Sequence, residues 1–455
     1  MKVFGSSGAR GVAGRDLTPE FVLRVATAAG TVWEADRAAV ATDTRTTGRL
    51  FADASAAGLA STGLDVDRLG TAPTPAVSYY CEREGIPGVL LTASHNPPEY
   101  NGVKLIGSDG VELSIEVLER IEQHVLTEGS STADWLSVGE TTHVDTATDD
   151  YVDSLIEAVD REAIADAELT VALDPAHGAG AFASPEFYRR LGCRVVTVNA
   201  QPDGRFPGRL PEPVPENLGD LGRLVRATDA DVGIAHDGDA DRSVFVDENG
   251  HYINGDASLA ALAEAELSAS DTTVAAVNVS QRLVDVCDRI GAELELTPIG
   301  ATHIITRIKE LWAGGRSIPI AGEGNGGIFF PNHRLVRDGP YIGAKFLELL
   351  ADRSASEVVD PYQAYHNERI NLTYEAESER QALLEAATEY AQRADAAGEA
   401  EVTTIDGYRL DYGDAWVLVR PSGTEPKVRI AAEATTADRA SDLAESVEAA
   451  LEAAR

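Results

Sequence analysis

Four short stretches of the chain carry residue types that could do chemistry. The first is Thr92-Ala93-Ser94-His95-Asn96-Pro97-Pro98-Glu99-Tyr100-Asn101-Gly102-Val103-Lys104. A serine oxygen here could accept and donate a phosphoryl group if cations surround it, with His95 beside it and Lys104 further on. The same residues also suit an Asx/Pro turn whose hydroxyl caps a backbone N–H. As neighbours, Ser94 and His95 are expected to point in different directions, which argues against a hydrolase dyad made of these two.

The second stretch is Asp237-Gly238-Asp239-Ala240-Asp241-Arg242. Three carboxylates at i, i+2 and i+4 can converge on one hard cation, and Mg²⁺ takes such oxygens while leaving positions for phosphate or water. A calcium-binding EF-hand partly fits, because Glu248 falls at its twelfth position. Its sixth position must be Gly, however, and here it is Arg242, and the flanks Val232–Ala235 and Ser243–Val246 read as strands. The calcium hand is therefore rejected. A solvated acidic turn is the plainer alternative, weakened by the mutual repulsion of three close acids.

The third, Ala321-Gly322-Glu323-Gly324-Asn325-Gly326-Gly327, sets a carboxylate and an amide among glycines. It suits either sugar hydroxyls, since glycine permits close backbone approach, or a plain turn. The fourth is Arg420-Pro421-Ser422-Gly423-Thr424-Glu425-Pro426-Lys427-Val428-Arg429. Two hydroxyls, a glycine N–H and Arg420 could cradle a phosphate dianion, or the segment could simply connect two strands. The chain has only five lysines (Lys2, Lys104, Lys309, Lys345, Lys427) against 33 arginines, and two of the five fall in these loops. Gly5-Ser6-Ser7-Gly8-Ala9-Arg10-Gly11 offers another anion contact or a flexible start, and His303 reads as either structural or functional.

The elements that must position these loops alternate between strand and helix. Strands are predicted at Ala38–Thr42, Gly88–Leu91, Thr170–Leu173, Val232–Ala235, Val274–Val277 and Ile318–Ala321, each running into a polar loop. Near-continuous apolar strands belong to sheets covered by helices, so the fold class is α/β, with ligands at the carboxyl ends of the strands. Thr18-Pro19-Glu20 marks a helix start, with the helix over about 19–34. The module recurs three times before residue 355. Thr127–Asp150 and Arg353–His366 read as connections. The tail reads as a smaller α+β domain, with strands near Arg369–Tyr374, Tyr408–Tyr412, Ala415–Arg420 and Val428–Glu433. A helix over about Glu375–Ala396 and a terminal helix with Leu443, Val447 and Leu451 on one face complete it. The predicted domains are 1–140, 145–250, 251–358 and 366–455.

The chain has 455 residues and a formal net charge of −37. That charge argues against a nucleic-acid binder or a protein docked on anionic membranes. No apolar run is long enough for a transmembrane helix, and the start lacks the apolar region of a signal peptide. Three scattered cysteines (Cys81, Cys193, Cys287) argue against a disulfide or zinc scaffold and fit a reducing cytoplasm. The acidic, lysine-poor composition resembles that of extreme halophiles, in whose molar salt self-repulsion is screened over about 3 Å.

Taken in order, TASHNPPEYNGVK, DGDADR, GEGNGG and RPSGTEP resemble the active-serine, metal, sugar and phosphate loops of the α-D-phosphohexomutase family, and the resemblance spans nearly the whole chain. It implies three similar mixed α/β domains and a smaller C-terminal domain around a central cleft. It also implies that Ser94 is phosphorylated and that one Mg²⁺ sits on Asp237, Asp239, Asp241 and a phosphoserine oxygen. The phosphoryl group would pass to a hexose monophosphate, giving a bound hexose 1,6-bisphosphate that turns end over end. Lys104, Arg10 and His95 match positions of acid/base or electrostatic support. Arg420, Ser422, Gly423 and Thr424 would grip the non-reacting phosphate, Glu323 and Asn325 would contact sugar hydroxyls, and Arg242 and His303 would line the cleft.

The third loop departs from the Gly-Glu-x-Ser-Gly-His of many bacterial members and is closer to archaeal ones. Asn278-Val279-Ser280-Gln281 lacks a lysine that some mannose/glucose members carry after that strand. Both departures favour glucosamine 6-phosphate as substrate and glucosamine 1-phosphate as product, with phosphomannomutase/phosphoglucomutase activity as the alternative. A phosphosugar phosphatase and a non-catalytic phosphosugar-binding protein are the rivals from other classes. The expected partner is a small hexose phosphate, and the expected state is a cytoplasmic monomer or homodimer.

Overall fold

The computed structural model describes residues 3–5, 8–127, 129–422 and 426–455. The first helix, Pro19–Val32, starts where its sequence places it: Thr18 is extended and its hydroxyl accepts from Phe21 N at 3.2 Å. With Pro19 in the first turn and Glu20 next to it, the helix buries Val22, Val25 and Ala29.

Six strands follow one plan: β1 (Ala9–Val12), β2 (Arg37–Thr42), β3 (Asp65–Thr71), β4 (Gly88–Leu91), β5 (Tyr100–Ile106) and β6 (Thr141–His143). Their order is β1-β5-β4-β2-β3-β6. β4, β2, β3 and β6 run parallel, which requires helical crossovers, while β5 returns antiparallel to β4 and β1 antiparallel to β5. The helices Pro19–Val32 and Gly48–Ser61 pack together with β2 and β4 around Val25, Phe51, Leu59, Val40 and Val89.

The next five strands repeat the plan. β7 (Thr170–Asp174), β8 (Arg194–Thr197), β9 (Val232–Ala235), β10 (Val244–Val246) and β11 (Tyr252–Ile253) lie in the order β11-β10-β9-β7-β8. β8, β7 and β9 are parallel, and β10 returns antiparallel to β9. β12 (Thr272–Ala276) and β13 (Glu293–Thr297) form a parallel pair. β14 (Ala321–Glu323), β15 (Gly327–Phe330) and β16 (Arg334–Arg337) form an antiparallel ladder. Each chemistry-bearing loop up to this point joins a strand to its antiparallel neighbour: β4 to β5, β9 to β10 and β14 to β15.

The contacts divide the chain into two compact units, residues 1–258 with 320–358 and residues 259–319 with 359–455. The second unit includes β12, β13 and an antiparallel sheet of β17 (His366–Thr373), β18 (Glu401–Thr403), β19 (Tyr408–Asp411), β20 (Ala415–Pro421) and β21 (Lys427–Ala434). The helices Glu377–Ala397 and Ala437–Glu452 cover it, burying Leu383, Leu443, Val447 and Leu451 against Val417, Val419 and Ile430.

Four expectations change. The connection Arg353–His366 holds the short helix Ala355–Val359 and the first residue of β17. The strand predicted at Ile318–Ala321 begins only at Ala321, since Pro319 has no N–H for a ladder. The polar connection Thr127–Asp150 contains β6 and the first residues of the helix Ala147–Glu157; β6 is an edge strand exposed at all three positions, so it has no apolar pattern to betray it. Lys104 and Lys427 lie in strands rather than loops, Lys104 opposite Leu90 and Lys427 opposite Thr373. Among the described residues no helix is long and apolar enough to cross a membrane.

Candidate active site

The loop after β4 turns sharply. Ser94 has φ of +50°, left-handed for a non-glycine residue, a state that costs about 1–3 kcal/mol and persists only where its surroundings dictate it. Its N–H donates to Thr92 Oγ1 at 2.9 Å, and the Thr92 hydroxyl donates to Asp43 Oδ2 at 2.7 Å. The turn brings Ser94 Oγ to Asp237, where it donates to Oδ2 at 2.6 Å. Gly238 makes that approach possible: a Cβ there would meet the Ser94 carbonyl oxygen at 2.6 Å. The expectation that Ser94 and His95 diverge is corrected, because the left-handed turn sets His95 Nδ1 3.2 Å from Ser94 Oγ.

The loop after β9 curls so that one oxygen from each of Asp237, Asp239 and Asp241 lies within 4.8 Å of the others, and all three residues are buried. The backbone N–H groups of Asp241 and Arg242 donate to Asp237 Oδ1 at 3.1 and 3.2 Å. Thr74 Oγ1 donates to Asp239 Oδ2 at 2.7 Å. Asp239 Oδ1 and Asp241 Oδ1 have no hydrogen-bond partner among the described residues. Buried carboxylate oxygens left open in this way are costly, and an all-oxygen set beside a serine hydroxyl fits a hard divalent cation.

Charges of both signs meet here. Lys104 Nζ lies 3.1 Å from Glu112 Oε1, 3.3 Å from Asp241 Oδ2 and 3.9 Å from Asp239 Oδ2. Burial opposes its charge, but Glu112, Asp241 and Asp239 outweigh burial and hold it above the usual lysine range. Arg337 Nη2 donates to Asp241 Oδ2 at 2.5 Å. Burial raises Asp241, yet Arg337, Lys104, Arg242 and Arg10 hold it below the ordinary carboxylate range. Burial, Asp241 and Asp239 push Asp237 well up, the response of a carboxylate crowded by like charge. The Arg242 guanidinium, then burial, then Arg10 push the His95 imidazole down to about 2. Arg242 Nε stands 4.0 Å from Asp237 Oδ2 and 3.9 Å from Asp241 Oδ1, and Arg10, opposite Gly102 in β1, donates to Asn96 Oδ1 at 3.0 Å.

Glu323 ends β14 and is buried, and Asn325 in the tight turn accepts from Gly327 N at 2.9 Å. The first unit thus brings together Arg10, Ser94, His95, Lys104, Asp237, Asp239, Asp241 and Arg242, and also carries Glu323 and Asn325. The remaining expected residues belong to the second unit. His303 lies in the first turn of the helix Ala301–Ala313. Arg420, in β20 rather than a loop, pairs with Asp406 at 3.2 Å, and Ser422 N donates to Lys427 O at 2.8 Å. Gly423 and Thr424 lie outside the described residues.

Sequence reasoning missed Glu112, Arg337, Thr74, Arg45 and Arg209. Arg337 precedes Asp338, whose side chain caps the helix Gly339–Glu348, and Arg45 follows Asp43 just after β2. An arginine beside an acid at a strand or helix end was the available signal. The partners lie far along the chain, so the signal did not say what either arginine holds.

Residues 1–132, 149–250, 254–365 and 372–450 match, in order, the phosphoglucomutase/phosphomannomutase alpha/beta/alpha domains I, II and III and the C-terminal domain. A phosphoglucomutase/phosphomannomutase of Thermococcus kodakarensis is 38% identical over 456 residues, covering 98% of this chain and 97% of its own. A probable phosphoglucosamine mutase of Methanopyrus kandleri is 39% identical over 449 residues, covering 97% and 96%. The crystal structure of a phosphoglucomutase/phosphomannomutase family protein from Burkholderia thailandensis superposes with a TM-score of 0.86 at 28% identity, covering 100% of this chain and 97% of that one. With every part of the architecture matched in sequence and in space, the chain belongs to the phosphoglucomutase/phosphomannomutase family and is an α-D-phosphohexomutase, an isomerase of the phosphotransferase type.

Proposed function

We propose that this phosphohexomutase converts glucosamine 6-phosphate to glucosamine 1-phosphate through a phosphorylated Ser94 and a bound hexose 1,6-bisphosphate. The observation that carries the reading is Ser94 Oγ, 2.6 Å from Asp237 Oδ2, beside buried carboxylates that leave two oxygens open. Mg²⁺ held by Asp237, Asp239, Asp241 and the Ser94 oxygen supplies charge neutralisation for the transferring phosphoryl group. In the forward half-reaction the Ser94 O–P bond breaks as a bond forms to the free sugar hydroxyl, which gives up its proton to a base in the site. The bisphosphate then turns end over end; its other phosphoryl group passes to the Ser94 oxygen as the bond to the sugar oxygen breaks, and that oxygen takes back the proton, so the phosphoenzyme is regenerated.

In this reading Lys104, fixed as a cation by Glu112 and Asp241, and Arg10, oriented by Asn96, face the developing phosphoryl charge. His95 supports the serine oxygen and Arg242 lines the substrate position. Glu323 offers acceptors for sugar hydroxyls and for the ammonium of an aminosugar, with Asn325 beside it. His303 also meets the sugar, and Arg420, Ser422, Gly423 and Thr424 hold the phosphate that is not reacting. The four domains are taken as 1–140, 145–250, 251–358 and 366–455, and the acidic surface as an adaptation to molar salt.

The name of the Thermococcus relative favours mannose and glucose phosphates as the second reading. Isomerisation of glucosamine 6-phosphate, mannose 1-phosphate and glucose 1-phosphate, measured side by side in molar KCl, separates the two. Fastest turnover of glucosamine 6-phosphate is expected. Free phosphate released in place of isomerised sugar would make the protein a phosphatase instead. Intact mass spectrometry is expected to show about +80 Da on Ser94, one phosphate group.

A further inference from the structure

We propose that Arg45 is a positioning residue for phosphoryl transfer, holding the Ser94 loop in the strained turn that sets Ser94 Oγ against Asp237. The proposal rests on the phosphoserine reading above. Arg45 and Asp43 are both fully buried. All five N–H donors of the guanidinium are used. Nε donates to Asp43 Oδ2 at 3.1 Å. Nη1 donates to the carbonyls of Pro97 at 2.6 Å and Tyr100 at 2.8 Å. Nη2 donates to the carbonyls of Ser94 at 2.9 Å and Asn96 at 2.6 Å. The outer face of the guanidinium is closed by the Phe206 ring, 5.2 Å away.

Four carbonyls of one loop, from Ser94 to Tyr100, therefore converge on one planar cation. Such convergence is unfavourable unless a cation neutralises it, and only arginine offers five donors in a rigid fork. Asp43 supports the loop from the other side, since its Oδ2 also accepts from Thr92, which in turn receives Ser94 N–H. The left-handed Ser94 is thus fixed at both its N–H and its carbonyl. Among the described residues Arg45 makes no hydrogen bond or ion pair with Ser94 Oγ or with the carboxylate trio, so its effect on the chemistry passes through the backbone.

The second sheet repeats the device. Asp174 at the end of β7 holds Arg209 Nε at 2.9 Å, and Arg209 Nη2 donates to the carbonyl of His236, the residue before Asp237, at 2.6 Å. In both sheets an acid at the end of the central parallel strand holds an arginine. In both, that arginine ties down the loop of the neighbouring strand, β4 in one case and β9 in the other.

The test uses Arg45→Lys in the full-length protein, normalised to folded fraction by circular dichroism. Lysine keeps the charge but has three donors, so the loop loses part of its anchorage. A misplacement near 1 Å lowers reaction rates by about 100-fold, so kcat is expected to fall about 30- to 100-fold, with KM for the hexose phosphate and half-saturation by Mg²⁺ each within about threefold of the parent. A folded Arg45→Lys protein with kcat within about threefold of the parent, or with a loss confined to KM, overturns the proposal. Should Arg45→Lys fail to fold, Asp43→Asn decides. It keeps the side-chain shape but weakens the carboxylate that holds Arg45 Nε, and is expected to lower kcat about tenfold with KM unchanged; parental kcat in the folded variant overturns the proposal. Ser94→Ala run in parallel separates the two levels: an active Ser94→Ala protein refutes the phosphoserine reading, whereas an inactive one beside a fully active Arg45→Lys protein refutes only the role of Arg45.

Discussion

Replacing Asp239 by Asn tests the carboxylate trio in a way that separates charge from fold. The side chain keeps its shape, and its carbonyl oxygen can still accept from Thr74 Oγ1. The change removes one negative charge that faces Asp237 and Asp241, each within 4.8 Å, and Lys104 at 3.9 Å, and that also attracts Arg10. At an effective dielectric near 20, a unit-charge pair at 4 Å is worth about 4 kcal/mol. The lost repulsions from Asp237 and Asp241 and the lost attractions to Lys104 and Arg10 are therefore of similar size and opposite sign. The metal-free fold is expected to change by about 1 kcal/mol or less.

Cation binding has no such cancellation. Loss even of an outer-shell partner weakens a metal site about 10- to 100-fold, so loss of a ligand carboxylate is taken as about 100-fold for Mg²⁺. At a free Mg²⁺ concentration of 100 times the parental Kd, binding stabilises the parent by about 2.7 kcal/mol and a 100-fold weaker variant by about 0.4 kcal/mol. Set against the unfolding entropy of the roughly 300-residue first unit or of the whole chain, the difference corresponds to a thermal shift of about 2–4 °C. Melting curves with and without Mg²⁺ at constant molar KCl, together with turnover against Mg²⁺ concentration, read both quantities. A variant that keeps the parental Mg²⁺ shift and half-saturation would refute the assignment of the trio. A large loss of stability already present without Mg²⁺ would refute the cancellation.

On the proposed function, Arg420→Ala is expected to raise KM for the hexose phosphate by about 10- to 100-fold with a smaller effect on kcat, because it would remove a charge-assisted contact to the non-reacting phosphate; steady-state kinetics with unchanged KM would clear Arg420 of phosphate binding. Dialysis from molar KCl into dilute buffer lengthens the Debye length from about 3 Å to tens of ångströms and exposes a net charge of −37 to its own repulsion. Loss of compactness in small-angle scattering and loss of turnover are expected, and full retention of both would reject adaptation to salt.

Local pattern carried much of the fold. Val232–Ala235 and Gly88–Leu91 are strands to the residue, because each is a buried four-residue run closed by a polar loop. The Asp237, Asp239 and Asp241 spacing likewise announced its own convergence. The losses occurred where a partner lies far along the chain. The exposed three-residue strand Thr141–His143 exists only because β3 offers it an edge, and Glu401–Thr403, unread in the sequence, pairs with β19 in the same way. Lys104 looked like part of a loop because the motif runs on past the turn, whereas β5 has already formed by Tyr100 and carries the lysine back toward the trio. Arg45 and Arg209 bind backbone carbonyls, which every residue has, so their targets leave no mark in the residue pattern.

The net charge of −37 and an anionic substrate are reconciled at this one site. Arg10, Lys104, Arg242 and Arg337 act on Asp237, Asp239, Asp241, Glu112 and Glu323, which leaves four cations against five carboxylates. Such a cluster is nearly neutral and holds its own cations in pairs, so by itself it offers little attraction to a phosphate dianion. A divalent cation on the open oxygens of Asp239 and Asp241 would offset the added charge of a phosphorylated Ser94 and return the cluster to near neutrality. It would also compete with Lys104 and Arg337 for Asp241, turning their charge toward whatever lies above the trio. On the proposed function, metal binding and phosphate binding are therefore one electrostatic event, and the acidic surface contributes solubility in salt without governing what the site accepts.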